Sequence, residues 1–244
     1  MTREGADSLT TQAARADAGA ASTSSAAHRL TTLTNTVDLR VLELLSARLC
    51  HELSGPIAAI NNGVELVADE DPVTGSPPDP SFIRDAVALV GSSARSAARR
   101  LQFYRFAYGY SQAAAPGGPA PIELARALFE ASRIECDCAD GVRFLSAAWL
   151  KLACNLLPVG AGALPRGGRL VLGDRPLRLE AIGEAAALSA ETQAALMLAT
   201  PVDELTARTV QAYFAGLLAR ALDCGVTAAT EPGRVRLTVI AAGR

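Results

Sequence analysis

The chain has 244 residues, half of them hydrophobic and 20% charged, and its 23 Lys and Arg against 25 Asp and Glu leave a formal net charge of -2. That length suits one large domain or two small ones, and the near-neutral balance argues against a general nucleic-acid binder, which would carry a basic excess. The only histidines are His28 and His51, and the cysteines Cys50, Cys136, Cys138, Cys154 and Cys224 form no CxxC pair, so a zinc site is disfavoured and no resident metal is expected.

Residues 1–34 are rich in Ala, Thr and Ser and read as a disordered tail that holds a solvated His28. No basic start is followed by an apolar run, and no stretch of about 18 apolar residues occurs, so neither a signal peptide nor a membrane span is expected. A cytoplasmic protein with reduced, buried or half-buried thiols follows.

From Val37 to Ala68, Leu42, Leu45, Leu49, Leu53, Ile57, Ile60, Val64 and Val67 recur every three or four residues. That spacing predicts a long amphipathic helix, kinked or loosened at Pro56. The Pro-rich run Asp69 to Pro80 ends it. Asp79 is a good N-cap and Pro80 suits the first helical position, so a second helix runs to about Tyr110. Ile83, Val87, Val90, Ala94, Ala97, Leu101, Tyr104 and Tyr108 form its apolar face, and Phe103 and Phe106 join them as bundle packing. Arg95, Arg99, Arg100 and Arg105 decorate it, as a solvated face or one that meets an acidic partner. Such a hairpin cannot bury both stripes alone, and a homodimeric four-helix bundle would do so.

Residues 113–121 read as a linker. Beyond it, helices are predicted over 122–131, 146–162, 188–199 and 203–222, and strands over 133–138, 168–173, 177–182, 226–230 and 235–241. The expectation is an α+β chain: a tail, a helical hairpin over 35–112, and an α/β two-layer domain over 120–244 with Trp149 in its core.

His51 carries the most chemistry. At about 100° per residue it lies some 200° from Leu49, on an outer face shared with Leu44, Arg48, Gly55, Ala58 and Asn62. Gly55 and Ala58 are small, so a macromolecule could approach the ring. Neutral imidazole exists at cell pH and can attack a phosphoryl group. Glu52 could hold one ring nitrogen, and Arg48, one turn back, could stabilise phosphoryl charge. On this chemistry alone, an exposed helical histidine is more often simply solvated.

The segment Leu45 to Val67 resembles the H-box of sensor histidine kinases, with His51, Glu52, Leu53 and Pro56 matching its core. It is more similar to the ChpT-type histidine phosphotransferases of alphaproteobacteria, through Ala47–His51, Pro56, Ser92–Arg95, Leu101–Phe103, Arg105, Ala107 and Gly109. The C-terminal half resembles a kinase ATPase domain that departs from the pattern in three places. Asn155 matches the first Asn of the N-box, but the second falls at Val159. The stretch Glu180 to Ala185 lacks D-x-G-x-G. Pro201 to Arg208 holds no glycine where a kinase cradles phosphate, and it brings Asp203 and Glu204.

The resemblance therefore implies a degenerate ATPase-like domain without nucleotide binding, and Asn155 as a structural relic. The donor would be the phospho-aspartate of a receiver domain on a hybrid kinase, and the acceptor a CtrA-like response regulator. His51 and Glu52 would be catalytic, with Arg48 and Gly55 at the phosphoryl or receiver contact. Magnesium would come from the receiver. Gly55, four residues after the histidine, implies weak phosphatase action. An active sensor kinase fragment and a dimeric receiver-docking protein are the alternatives.

Overall fold

Two long helices open the fold, α1 at Leu39–Ala68 and α2 at Pro80–Tyr108. The structure is a computed structural model that describes residues 37–68, 79–109, 119–130 and 132–241. The tail over 1–34 with His28, positions 69–78 of the first loop and 110–118 of the linker region lie outside the described residues.

The start of α2 follows from local chemistry. The Asp79 carboxylate accepts from the Ser81 backbone N–H at 3.3 Å, and Pro80 fills the position whose N–H would have no partner. The helix ends two residues earlier than predicted, at Tyr108, where the Gly109 N–H bonds the Arg105 carbonyl. Helix α1 runs unbroken through Pro56. Proline has no N–H to offer, so the Glu52 carbonyl lacks its helical donor at that turn. The two helices are antiparallel: Glu52 faces Arg100, while Gly63 faces Ala86 and Val90. A Cβ on Gly63 would stand 2.6 Å from a Val90 methyl, so glycine is what lets the helices approach there.

The apolar stripe of α1 divides. Val41, Leu44 and Leu45 are buried, whereas Leu42, Ile57, Val64 and Val67 are exposed in the single chain. Val87 and Leu101 of α2 are exposed as well. The placement of Leu44 on the outer face is thus corrected: it is buried, because the helix Val210–Arg220 of the C-terminal half packs against α1.

The C-terminal half is a mixed α/β layer. Its elements are α3 (Pro121–Phe129), β1 (Ile134–Cys138), α4 (Ala147–Gly162), β2 (Gly168–Asp174), β3 (Leu177–Ile182), α5 (Ala190–Leu196), α6 (Val210–Arg220), β4 (Cys224–Glu231) and β5 (Arg234–Ala241). The sheet order is β1-β2-β3-β5-β4, with β1 parallel to β2 and all other pairs antiparallel. Burial alternates along the strands. Leu170, Leu172, Leu179, Ala181, Val235 and Leu237 point into the helices, while Arg169, Glu180, Arg234 and Arg236 lie on the other face. On that face Glu180 accepts from Arg236 at 3.1 Å.

The β4–β5 hairpin turns on Pro232 and Gly233, where Gly233 takes φ +72°, as a two-residue turn with a left-handed second position requires. Helix α4 is buried on nearly every side. Trp149 is half-buried against the core.

One expected helix is interrupted. Instead of a run over 203–222, a 3₁₀ turn at Val202–Glu204 precedes α6. Thr206 and Thr209 are the cause. The Thr206 N–H donates to the Thr209 hydroxyl at 3.0 Å and the Thr209 N–H to the Thr206 hydroxyl at 3.3 Å, offering the backbone an alternative to the helix ladder.

The aromatic residues of α2 depart from simple bundle packing. Phe103, Tyr104 and Phe106 are buried in a core that continues through α4 and α6 into the sheet. Tyr108 meets Phe214 of α6 edge-on at 5.8 Å between centroids. No helix among the described residues is long and apolar enough to cross a membrane. Cys154 is buried, Cys136, Cys138 and Cys224 are half-buried, and Cys50 is exposed, against the expectation for that thiol.

Candidate active site

His51 lies near the middle of α1, exposed on its surface. Gly55, one turn further on, leaves the approach open: a Cβ there would meet nothing within 4 Å. Ser54 and Ala58 are exposed beside it. The imidazole therefore stands on a smooth, accessible patch of helix, where a large partner can bring an electrophile to it.

Glu52 does not take the place expected of it. Neighbouring helical residues point about 100° apart and do not face each other. Its carboxylate is engaged by arginines instead: Arg100 Nη1 of α2 donates to Oε2 at 2.5 Å, and Arg48 Nη2 lies 3.6 Å from Oε1. These ion pairs stand where a hydrogen bond from a His51 ring N–H to Glu52 was expected.

Arg48 is likewise turned inward. Its Nη1 donates to the Ala207 carbonyl at 3.3 Å, in the segment just before α6. The Nε atoms of Arg48 and Arg100 are both buried without a hydrogen-bond acceptor. The structure thus brings Arg48 and Glu52 together with Arg100, and puts Gly55 beside His51.

Two tyrosines line the inner side of this cluster. Burial pushes the Tyr104 hydroxyl up to about 12, and the Glu52 charge adds to it. Tyr108 is pushed up for the same first reason, then by Tyr104. Arg48 lies within hydrogen-bonding reach of both hydroxyls.

A closed polar chain continues from there. The Tyr108 hydroxyl bonds the Gln211 side-chain carbonyl. Gln211 Nε2 donates to the Asn155 side-chain oxygen at 2.9 Å and to its backbone carbonyl at 3.2 Å. Asn155 Nδ2 donates to the carbonyls of Ala107 and Lys151, each at 2.8 Å. Asn155 and Gln211 are 0% and 2% exposed, so these bonds are made away from water. Lys151 Nζ donates to the Gly109 carbonyl at 2.7 Å and closes the end of α2.

Sequence reasoning missed Arg100 and Gln211 as members of this arrangement. An antiparallel hairpin with its loop centred near residue 74 pairs position 52 with a point about one turn from Arg100, within reach of an arginine side chain. That register was the available signal. Gln211 had none, because its partner Asn155 is 56 residues away in sequence. Among the described residues no group of three or more His, Cys, Asp or Glu is placed to hold a metal ion.

A helical hairpin bearing an exposed histidine, followed by a mixed α/β layer, defines a class. Residues 121–242 match the model of the family described as histidine phosphotransferase C-terminal domain, and the chain belongs to that family. Among individual relatives, it is 38% identical over 136 residues to the protein phosphotransferase ChpT of Brucella abortus (strain 2308). That match spans 53% of this chain and 58% of the relative's length. A solved structure described as a bacterial phosphotransferase superposes with a TM-score of 0.66 at 28% identity, over 84% of this chain and 98% of that one.

Proposed function

We propose that this chain is a histidine phosphotransferase of a multistep phosphorelay, and that His51 carries the phosphoryl group. The observation that carries the reading is the exposed His51 with open space at Gly55, in a chain of the histidine phosphotransferase family. The donor is the phospho-aspartate of a receiver domain on a hybrid kinase, and the acceptor is the aspartate of a CtrA-like response regulator. The lone pair of a neutral His51 ring nitrogen forms a P–N bond while the receiver's acyl-phosphate O–P bond breaks. The electron pair leaves with the aspartate carboxylate, and the other ring nitrogen keeps its proton. The reverse steps deliver the group to the next receiver. Magnesium is supplied by the receivers' own acidic pockets, so this chain contributes position and charge.

Two further observations support the reading. The side-chain oxygen and nitrogen of Asn155 are both engaged by protein partners, which leaves neither for a nucleotide or its magnesium. The exposed rows Cys50, Ile57, Val64 on α1 and Val87, Ala94, Leu101 on α2 each repeat every seven residues, the spacing of a bundle seam. We therefore assign the hairpin over 35–112 to homodimerisation and phosphotransfer, and 120–244 to a degenerate ATPase-like domain. The working compartment is the cytoplasm.

The test is to incubate the full chain with a receiver domain carrying labelled aspartyl phosphate. Label should move to wild type and not to His51→Ala. Labelling by ATP alone would make the chain a kinase, and a receiver that keeps its label would leave only a docking role.

A further inference from the structure

Two guanidinium groups converge on one carboxylate beside the histidine: Arg48 from α1 and Arg100 from α2, both on Glu52. The cluster holds a surplus of one positive charge. It also has more donors than acceptors, since the Nε atoms of both arginines are buried with no partner. A buried donor without an acceptor is costly, and Tyr104 and Tyr108, the other groups beside it, stay neutral over the physiological range. The arrangement is short of negative charge, and the reaction proposed for His51 delivers it as a phosphoryl group.

We propose that Arg100 is a positioning residue for phosphoryl transfer at His51: reaching from α2, it offsets the charge of the Glu52 carboxylate and keeps the cluster one positive charge in surplus. This rests on the phosphotransferase reading above. Without Arg100, Glu52 is released one residue from His51 and pairs with Arg48 alone. The cluster becomes neutral, and the surplus cation that would favour the incoming anion is lost. Charge aimed in advance at a developing oxyanion, in a partly desolvated place, is where electrostatics acts most strongly on a barrier. The contact is a single Nη1–Oε2 bond and not a two-pronged one, so a lysine can replace it.

The experiment measures kcat and KM for transfer from a phosphorylated receiver to the full chain. It compares wild type, Arg100→Gln, Arg100→Lys and the double variant Arg100→Gln/Glu52→Gln. Arg100→Gln should lower kcat about 10- to 100-fold, with KM for the receiver changed far less. Arg100→Lys should keep most of the rate. The double variant should regain much of the loss, because removing both charges leaves Arg48 as a surplus cation again, and it should do so at equal folded fraction by urea melt, whereas a purely structural pair restores rate only by restoring stability. An Arg100→Gln rate equal to wild type, or a double variant no faster than Arg100→Gln, overturns the assignment. Wild type that takes no label on His51 overturns the phosphotransferase reading and this inference with it, so the two failures are told apart by the wild-type lane.

Discussion

The part of α1 that the rest of the chain covers and the parts it leaves open follow opposite rules. Around His51 the helix is open: small residues flank the ring, and on another face apolar side chains such as Ile57 and Val64 remain uncovered. On the covered side Val41, Leu44 and Leu45 are buried, and Tyr108, Gln211 and Asn155 are joined by hydrogen bonds. Arg48 and Glu52 stand at the border, half-buried, with the Arg48 Nε unpaired. The difference separates tasks in the proposed relay. Packing is concentrated where the C-terminal layer covers the hairpin, and the proposed phosphoryl carrier stands where it is uncovered among the described residues.

The sharpest way to break that separation is His51→Ala. It should abolish phosphotransfer in both directions, while stability stays within about 0.5 kcal/mol because the side chain is exposed. A large drop in melting temperature would mean that the open side contributes to the fold after all.

Next comes the uncovered apolar seam. Ile57→Asp combined with Leu101→Asp puts charges in the middle of one exposed row and at the end of the other and should turn a homodimer into monomers, read by light scattering during gel filtration. A monomeric wild type would remove the bundle from the account of the open side.

On the covered side, Asn155→Leu should destabilise by about 2–4 kcal/mol, since it leaves the Ala107 carbonyl without its donor and Gln211 Nε2 with only the backbone carbonyl in a dry place. Denaturant melts give the figure. At a temperature where the variant is folded, labelling of His51 should persist. A stable variant that cannot be labelled would place Asn155 in the chemistry instead of the frame.

Much of this layout was legible from residue order, and the rest failed for identifiable reasons. Asp79 and Pro80 announce the start of α2 by local hydrogen bonding alone. The alternation in β2, β3 and β5 shows a sheet with one covered face. The exposure of His51 was legible too, from its place on the outer face of the helical wheel. What stayed hidden depends on which elements meet. Leu44 falls on the outer face of a helical wheel drawn for a hairpin alone, and only α6 makes that face an inside. Thr206 and Thr209 have the composition of helix but prefer each other's backbone. Glu52 sits next to His51 in sequence, and helix geometry turns it toward arginines on two helices. The Asn155–Gln211 pair joins α4 to α6 through side chains that no periodicity marks.

The smallest expected effect belongs to the border itself and shows as a pH dependence. Burial holds Tyr104 and Tyr108 protonated well above their ordinary range, Tyr104 up to about 12 from 10.0. In the unfolded chain a tyrosine loses its proton near pH 10. Below that pH both states hold the proton and stability is independent of it. Between about 10 and 12 the unfolded state gives up protons that the folded state keeps, so stability falls as the pH rises. Tyr104→Phe should make that fall shallower and lower the neutral plateau only by the contact of its hydroxyl with Arg48. Tyr108→Phe should also make the fall shallower, and it should lower the plateau, because it removes the bond to Gln211. Urea melts of the three proteins at pH 8 and pH 11 separate these effects. An identical loss between the two pH values in all three would show that the tyrosines reach water in the folded chain. The covered side would then be wetter than its packing indicates, and the contrast between the two sides of α1 would shrink to the histidine alone.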